Sequence, residues 1–197
     1  DARSYRAEET LRNGLVICIR ALQPDDGERM AEAFSKLDPD SVYTRFFTYK
    51  KEVTEEDFQL IREMDFDLRV ALIATLIENG REIVIASSSY ALCGPDSAEI
   101  AFIVEEDYHR LGIARRLLTH LGKIATAAGI RTFIAEVLPH NTAMLGVFGR
   151  CGWPMTTHWR SGWPAACRAL KACRWSRLTP TSCLSIWWVP PRRARPI

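Results

Sequence analysis

Between Ala98 and Leu118 the chain reads AEIAFIVEEDYHRLGIARRLL. The apolar, partly alternating residues 98–104 read as a strand. Glu105, Glu106 and Asp107 form a polar loop, 109–114 a tight turn, and helical periodicity takes over at Gly112. Ile113, Leu117, Leu121, Ile124 and Ala128 make one stripe, which Ala114, Leu118 and Ala125 widen. Gly129 stands where a helix C-terminal glycine belongs, and 132–138 reads as another strand. A strand, a crossover helix and a second strand constrain the chain more than any other feature. The two strands must share a sheet, with the helix packed on its face.

The turn itself, His109-Arg110-Leu111-Gly112-Ile113-Ala114, has small residues where backbone can approach another group closely. Its amides point out of a helix N-terminus, with the positive end of the helix dipole behind them. That arrangement binds phosphate or pyrophosphate. Arg110, Arg115 and Arg116 add positive charge. Neither GxxxxGK[ST] nor GxGxxG occurs, so the P-loop and the dinucleotide fingerprint are excluded. A glycine also suits any strand-to-helix turn, and on the turn alone that plainer reading stays open.

Upstream, 15–19 (LVICI) reads as a strand. Pro24-Asp25-Asp26 opens a helix with Met30, Ala31, Phe34 and Leu37 on one face. Thr54-Glu55-Glu56-Asp57 resembles a capping box, followed by Phe58, Ile61 and Met64 at helical spacing. Strands are predicted over 70–77, 82–90 and 98–104. Asn79-Gly80 joins the first two as a hairpin and Gly94-Pro95-Asp96 joins the next. Asn141 opens a short helix that runs to Arg150. The predicted fold is α+β: a mixed, mostly antiparallel sheet with helices on both faces.

Composition narrows the class. Of 197 residues, 47% are hydrophobic and 25% charged, which excludes collagen-like and wholly disordered chains. The longest apolar run, 70–77, falls far short of the ~20 residues of a membrane span. The polar, acidic N-terminus does not read as a signal peptide. No membrane partner is expected, and a cytoplasmic location is. Six cysteines never occur as CxxC, and Cys167 and Cys173 lack histidines at ligand spacing. Neither a metal site nor a disulfide framework is expected.

The 98–118 stretch resembles the acyl-CoA-binding motif of the GNAT (Gcn5-related N-acetyltransferase) superfamily, [QR]-x-x-G-x-[GA] after a strand of AEIAFxV type. Asn141-Thr-Ala-Met144-Leu-Gly-Val-Phe148-Gly-Arg-Cys-Gly152-Trp153 is similar to the family's next segment, N-x-x-M-x-x-x-[FY]-x-x-x-G-[FW]. Ser41-Val-Tyr43-Thr-Arg45-Phe46-Phe47 resembles the S-x-Y-x-R-F segment of bacterial Pat-like protein lysine acetyltransferases. The match covers about residues 15–155. His109 departs from it, standing where the motif has Gln or Arg.

The resemblance implies the GNAT fold over 1–155 and transfer of the acetyl group of acetyl-CoA to a primary amine, a protein lysine or a small molecule. It implies that the backbone of Phe102, Ile103 and Val104 hydrogen-bonds pantetheine and polarises the thioester carbonyl. His109, Arg110, Leu111, Gly112, Ile113, Ala114 and Arg115 would hold the pyrophosphate, mostly through amides, and Asn141 and Phe148 would line the CoA arm. Glu99 is the implied general base. By alternation it shares a face with Ala101 and Ile103. A carboxylate on a half-buried strand is harder to ionise, which suits a base near neutral pH. The plainer reading is an edge-strand glutamate facing solvent. Glu105 and Glu106 read as solvated loop carboxylates. Phe148 cannot donate a proton where many members carry Tyr, so the thiolate would leave unassisted or be protonated through water. Tyr108, His120 and His140 read as packing or surface residues, and Tyr43 and Arg45 as anchors of the early helices. The alternative is a catalytically silent acyl-CoA-binding sensor or docking module.

Residues 1–155 carry 18 Lys+Arg and 24 Asp+Glu; residues 156–197 carry 8 and none. All six tryptophans lie at or beyond Trp153. The alternation of a closing hairpin is missing from this tail. Residues 165–177 read instead as a short basic helix and 183–189 as a short apolar strand. Three readings compete. In the first, the tail is out of frame or read-through, since GC-rich DNA read out of frame yields Arg, Pro, Ala, Trp and Cys with few acids. In the second it is a basic aromatic tail for nucleic acid or an anionic surface, a partner that nothing else in the chain leads us to expect. In the third it is a divergent end that still completes the sheet. Under the first, an uncovered sheet edge invites homo-oligomer formation.

Overall fold

The structure, a computed structural model, describes residues 1–41, 52–137, 141–160 and 168–174, with backbone alone for 157–160 and 168–174. The described strands form one sheet: β1 (Arg6–Thr10), β2 (Val16–Ala21), β3 (Arg69–Glu78), β4 (Arg81–Leu92), β5 (Ser97–Val104), β6 (Thr132–Val137), β7 (Met155–Arg160) and β8 (Arg168–Arg174). Their order is β1-β2-β3-β4-β5-β6-β8-β7. Every neighbouring pair is antiparallel except β5 and β6, which the crossover helix joins in parallel. The described helices are α1 (Gly27–Ser35), α2 (Glu55–Arg62), α3 (Ile113–Ala127) and α4 (Thr142–Gly149).

The central strand β3 has helices over both faces, which is why its sequence is a continuous apolar run. Val70, Leu72 and Ala74 join the core beneath α3, with Leu117, Leu118 and Leu121. Ala71 and Ile73 face the other way, onto Leu22, Ile61, Met30 and Ala33. Local signals place the ends. The Thr54 hydroxyl accepts from the Asp57 amide while the Asp57 carboxylate accepts from the Thr54 amide, closing the capping box of α2. Asn79 and Gly80 both take positive φ, 51° and 79°, as a two-residue hairpin turn needs. Strand β4 carries one extra residue: Ala74 opposes Ala86 and Thr75 opposes Val84, leaving Ile85 bulged.

Strand β1 is absent from the sequence reading. Its residues RAEET carry almost no apolar signal. Side chains from α3 hold it: Arg116 donates to the Glu9 carboxylate at 3.0 Å and to the Thr10 carbonyl at 2.7 Å. His120, 4% exposed, contacts Glu9 at 2.9 Å and the Tyr5 hydroxyl. His120 is therefore a packing residue, with partners more than a hundred positions away.

The basic helix predicted over 165–177 is replaced by a strand in its described residues. Residues 168–174 are β8, seated between β6 and β7. Ala169, Leu170, Lys171 and Ala172 favour helix locally, but pairing with β6 from Ala169↔Val137 to Arg174↔Thr132 overrides that preference. The sheet thus continues past residue 155. The predicted strand at 183–189, and Tyr43, Arg45 and His140, lie outside the described residues. No helix among the described residues is long and apolar enough to cross a membrane.

Candidate functional site

Strands β5 and β6 share only three rungs, Ser97↔Thr132, Ala98↔Phe133 and Glu99↔Ile134. From Ile100 onward no described strand pairs with that edge of β5. The gap is a slot of about 70 Å³ lined by Glu99, Phe102, Glu136, Asn141, Met144 and Phe148. Phe148 is 1% exposed and meets Phe102 edge to face, with ring centroids 6.1 Å apart. The Asn141 side-chain oxygen accepts from the Met144 amide at 3.1 Å and caps α4, leaving the side-chain NH2 group for the slot. Glu99 is half-buried on the wall of the slot, and its charge reaches the Cys93 thiol.

At the end of the slot the chain turns into α3. Gly112 holds φ 85°, a left-handed conformation that a side chain would strain, and no side chain caps the helix. Arg110 is also left-handed, with φ 63°. The amides of Leu111, Gly112, Ile113 and Ala114 donate to no group among the described residues. Four free donors at the positive end of a 15-residue helix fit an anion such as a pyrophosphate. His109 does not reach into this cradle: its ring Nε2 lies 2.8 Å from the Val104 carbonyl and donates to it. Of the three arginines, Arg110 and Arg115 are exposed and make no ion pair among the described residues, while Arg116 is committed to Glu9.

Beneath the other face of the sheet lies a cavity of about 220 Å³, lined among others by Met30, Phe34, Ile61, Ser87, Ile103 and Glu105. Ala101 and Phe102 line the slot and the next residue, Ile103, lines the cavity, so the two spaces meet at β5. Glu105 is not a solvated loop carboxylate. It is 8% exposed, because its amide donates to the bulged Ile85 carbonyl at 2.9 Å and draws the residue inward. Burial raises its pKa, and its Oε2 has no hydrogen-bond partner among the described residues. Both Glu106 carboxylate oxygens are likewise buried without a partner among the described residues. Tyr108 packs against the core, and burial raises its pKa. Sequence reasoning missed this cavity; its available signal was Ser87-Ser88-Ser89, polar residues inside a strand that is otherwise buried and apolar.

The chain is similar in sequence and fold to known proteins. The model of the acetyltransferase (GNAT) family matches residues 32–153. The chain belongs to this family. The GNAT domain of S. lividans PAT is 32% identical and superposes with a TM-score of 0.73, covering 84% of this chain and 95% of that domain. The Acetyltransferase Pat of Mycolicibacterium smegmatis is 29% identical over 144 residues, 72% of this chain and 42% of that protein. The chain thus spans less than half the length of that relative. The structure of yncA from Salmonella typhimurium, with its cofactor acetyl-CoA, shares the fold at a TM-score of 0.65 and 16% identity, covering 85% of this chain and 99% of that one. The α+β GNAT fold and the acetyltransferase class expected from the motifs are those observed.

Proposed function

We propose that the protein moves the acetyl group of acetyl-CoA to a primary amine, a protein lysine side chain foremost, by direct transfer with Glu99 as general base. The observation that carries this reading is the fork of β5 and β6 at the Glu99↔Ile134 rung, on the strand that leads into the uncapped N-terminus of α3. Bound acetyl-CoA supplies the thioester. Leu111, Gly112, Ile113 and Ala114 hold the pyrophosphate by backbone donation, with Arg110 and Arg115 adding charge. The backbone at Phe102, Ile103 and Val104 fixes the pantetheine and polarises the carbonyl. Asn141 donates to the CoA arm. Glu99 takes the proton of the incoming ammonium through intervening water. Phe148 forms an apolar wall and has no proton to give, so the leaving thiolate is protonated by solvent.

The same Phe148 favours a second reading, a silent acyl-CoA sensor or docking module. Calorimetry with acetyl-CoA, followed by mass spectrometry of lysine peptides incubated with protein and acetyl-CoA, separates the two. Binding with a mass gain on lysine supports the enzyme; binding without transfer to any amine supports the sensor; no binding defeats both.

A further inference from the structure

We infer that Glu105 receives the ammonium group of the acceptor, and that the acceptor presents this group on an apolar stem, as a lysine side chain does. This rests on the acetyl-transfer reading above and names the half of the site that binds the amine.

The cavity beneath β5 is mostly apolar: Met30, Phe34, Leu60, Ile61 and Ile103 stand on its walls. Such a wall takes a stem and not a charge. Glu105 stands in the same wall, about nine-tenths buried, with Oε2 unpartnered among the described residues. A buried carboxylate oxygen without a donor is unfavourable, and a cation that enters beside it removes the penalty. The other carboxylate of the cavity, Asp57, is already committed, since it accepts from the Thr54 amide at 2.6 Å and the Thr54 hydroxyl at 2.9 Å. The surrounding charges favour a cation. Glu78, Glu106 and Asp107 act on Glu105 with negative charge, opposed by Lys36, which lies beside Glu32 at 3.9 Å. Ser87 supplies a hydroxyl for a second ammonium hydrogen.

Position agrees with chemistry. Glu105 lies two residues beyond Ile103, where the cavity meets the slot, and the bulge at Ile85 holds its backbone in place. An ammonium bound at Glu105 therefore arrives beside the β5 edge proposed to hold the thioester, from the face opposite α3. No bond is made or broken in this step. The ammonium donates a hydrogen bond to Oε2, and the stem displaces solvent from the cavity.

The test compares two probes of one shape, 4-phenylbutylammonium and 4-phenylbutan-1-ol, by calorimetry on the full chain. The wild type is expected to bind the ammonium at least about tenfold more tightly than the alcohol. Glu105→Gln should bring the two within about threefold of each other and leave acetyl-CoA affinity unchanged. A wild type without the preference, or a Gln variant that keeps it, overturns the inference. Glu105→Asp retains the charge and withdraws it by one methylene. It guards against a Gln variant that does not fold: a reduced preference supports the inference and a full one overturns it. A wild type that prefers the ammonium but binds no acetyl-CoA would defeat the acetyl-transfer reading instead.

Discussion

Glu99 on β5 stands opposite Ile134 on β6 across the last rung that the two strands share. Its backbone is thereby fixed at the base of the fork, paired with β4 through Ala91 on one side and with β6 on the other. The general-base role proposed for Glu99 is tested at this position. Glu99→Gln preserves shape and removes basicity. It should lower kcat by ~10²–10⁴ while leaving the calorimetric affinity for acetyl-CoA unchanged. A loss under about threefold at pH 7 would assign proton removal to another group.

The α3 cradle tests the cofactor assignment independently of turnover. Gly112→Glu sets a bulky anion among four free amides and adds a side chain at φ 85°. Calorimetry should show no acetyl-CoA binding. Gly112→Ala carries the left-handed strain, about 1–2 kcal/mol, without the charge. Its Cβ would lie 2.9 Å from Arg116 Nη1, the end of a flexible side chain that can shift. It should cost a few degrees of Tm, at roughly 2–4 °C per kcal/mol, and retain binding. Unchanged affinity in the Glu variant would sink the assignment.

Much of this site was legible because the residues that build it belong to short, local patterns. The turn at Gly112 follows β5 closely, Asn141 caps its own helix, and Phe148 lies on that helix's buried side. Glu105 was not legible. Its burial depends on a bulge at Ile85, and the extra residue shows only when β4 is laid against β3. Strand β1 was hidden for a related reason, since Glu9 has no apolar signal and gains meaning only beside Arg116 and His120. Strand β8 shows the limit of local propensity: its backbone conformation is set by β6, not by its own helix-favouring residues.

A second group of buried charges sets the acid stability. Arg20 grips Asp26 with two bonds of 2.6 and 2.8 Å and reaches Glu82 at 3.0 Å, tying β2 to the start of α1 and to β4. Burial alone would raise the pKa of Asp26, but Arg20, the Gln23 amide and Arg29 together hold it below the usual carboxylate value. Bonding from Arg20 lowers Glu82 as well. Carboxylates with depressed folded pKa values add stability above their unfolded values near 4, and that stability is lost as pH falls through the folded ones. Asp26→Asn should cost about 3 kcal/mol at pH 7, toward the low end for breaking a buried pair because Arg20 keeps Glu82. Thermal melts of the two proteins should converge as pH drops toward 3. Parallel curves would remove Asp26 from the acid transition.

The composition break at residue 155 makes the last strands the least expected part of the fold, and truncation tests them. Strand β8 covers β6 along six registered positions, Thr132↔Arg174 to Val137↔Ala169, and β7 closes the sheet beyond it. A chain ending at Pro154 leaves β6 as an open edge beside the slot. The ladder bonds it loses are worth ~0.5–1.5 kcal/mol net each, so the total is several kcal/mol. At roughly 2–4 °C per kcal/mol, Tm should fall by about 10 °C. An uncovered edge also pairs with copies of itself, so light scattering should show association that grows with protein concentration. If the truncated protein melts at the full-length temperature and stays monodisperse, the hairpin contributes nothing to the sheet. The basic, Trp-rich segment would then be an appendage to a domain that closes without it.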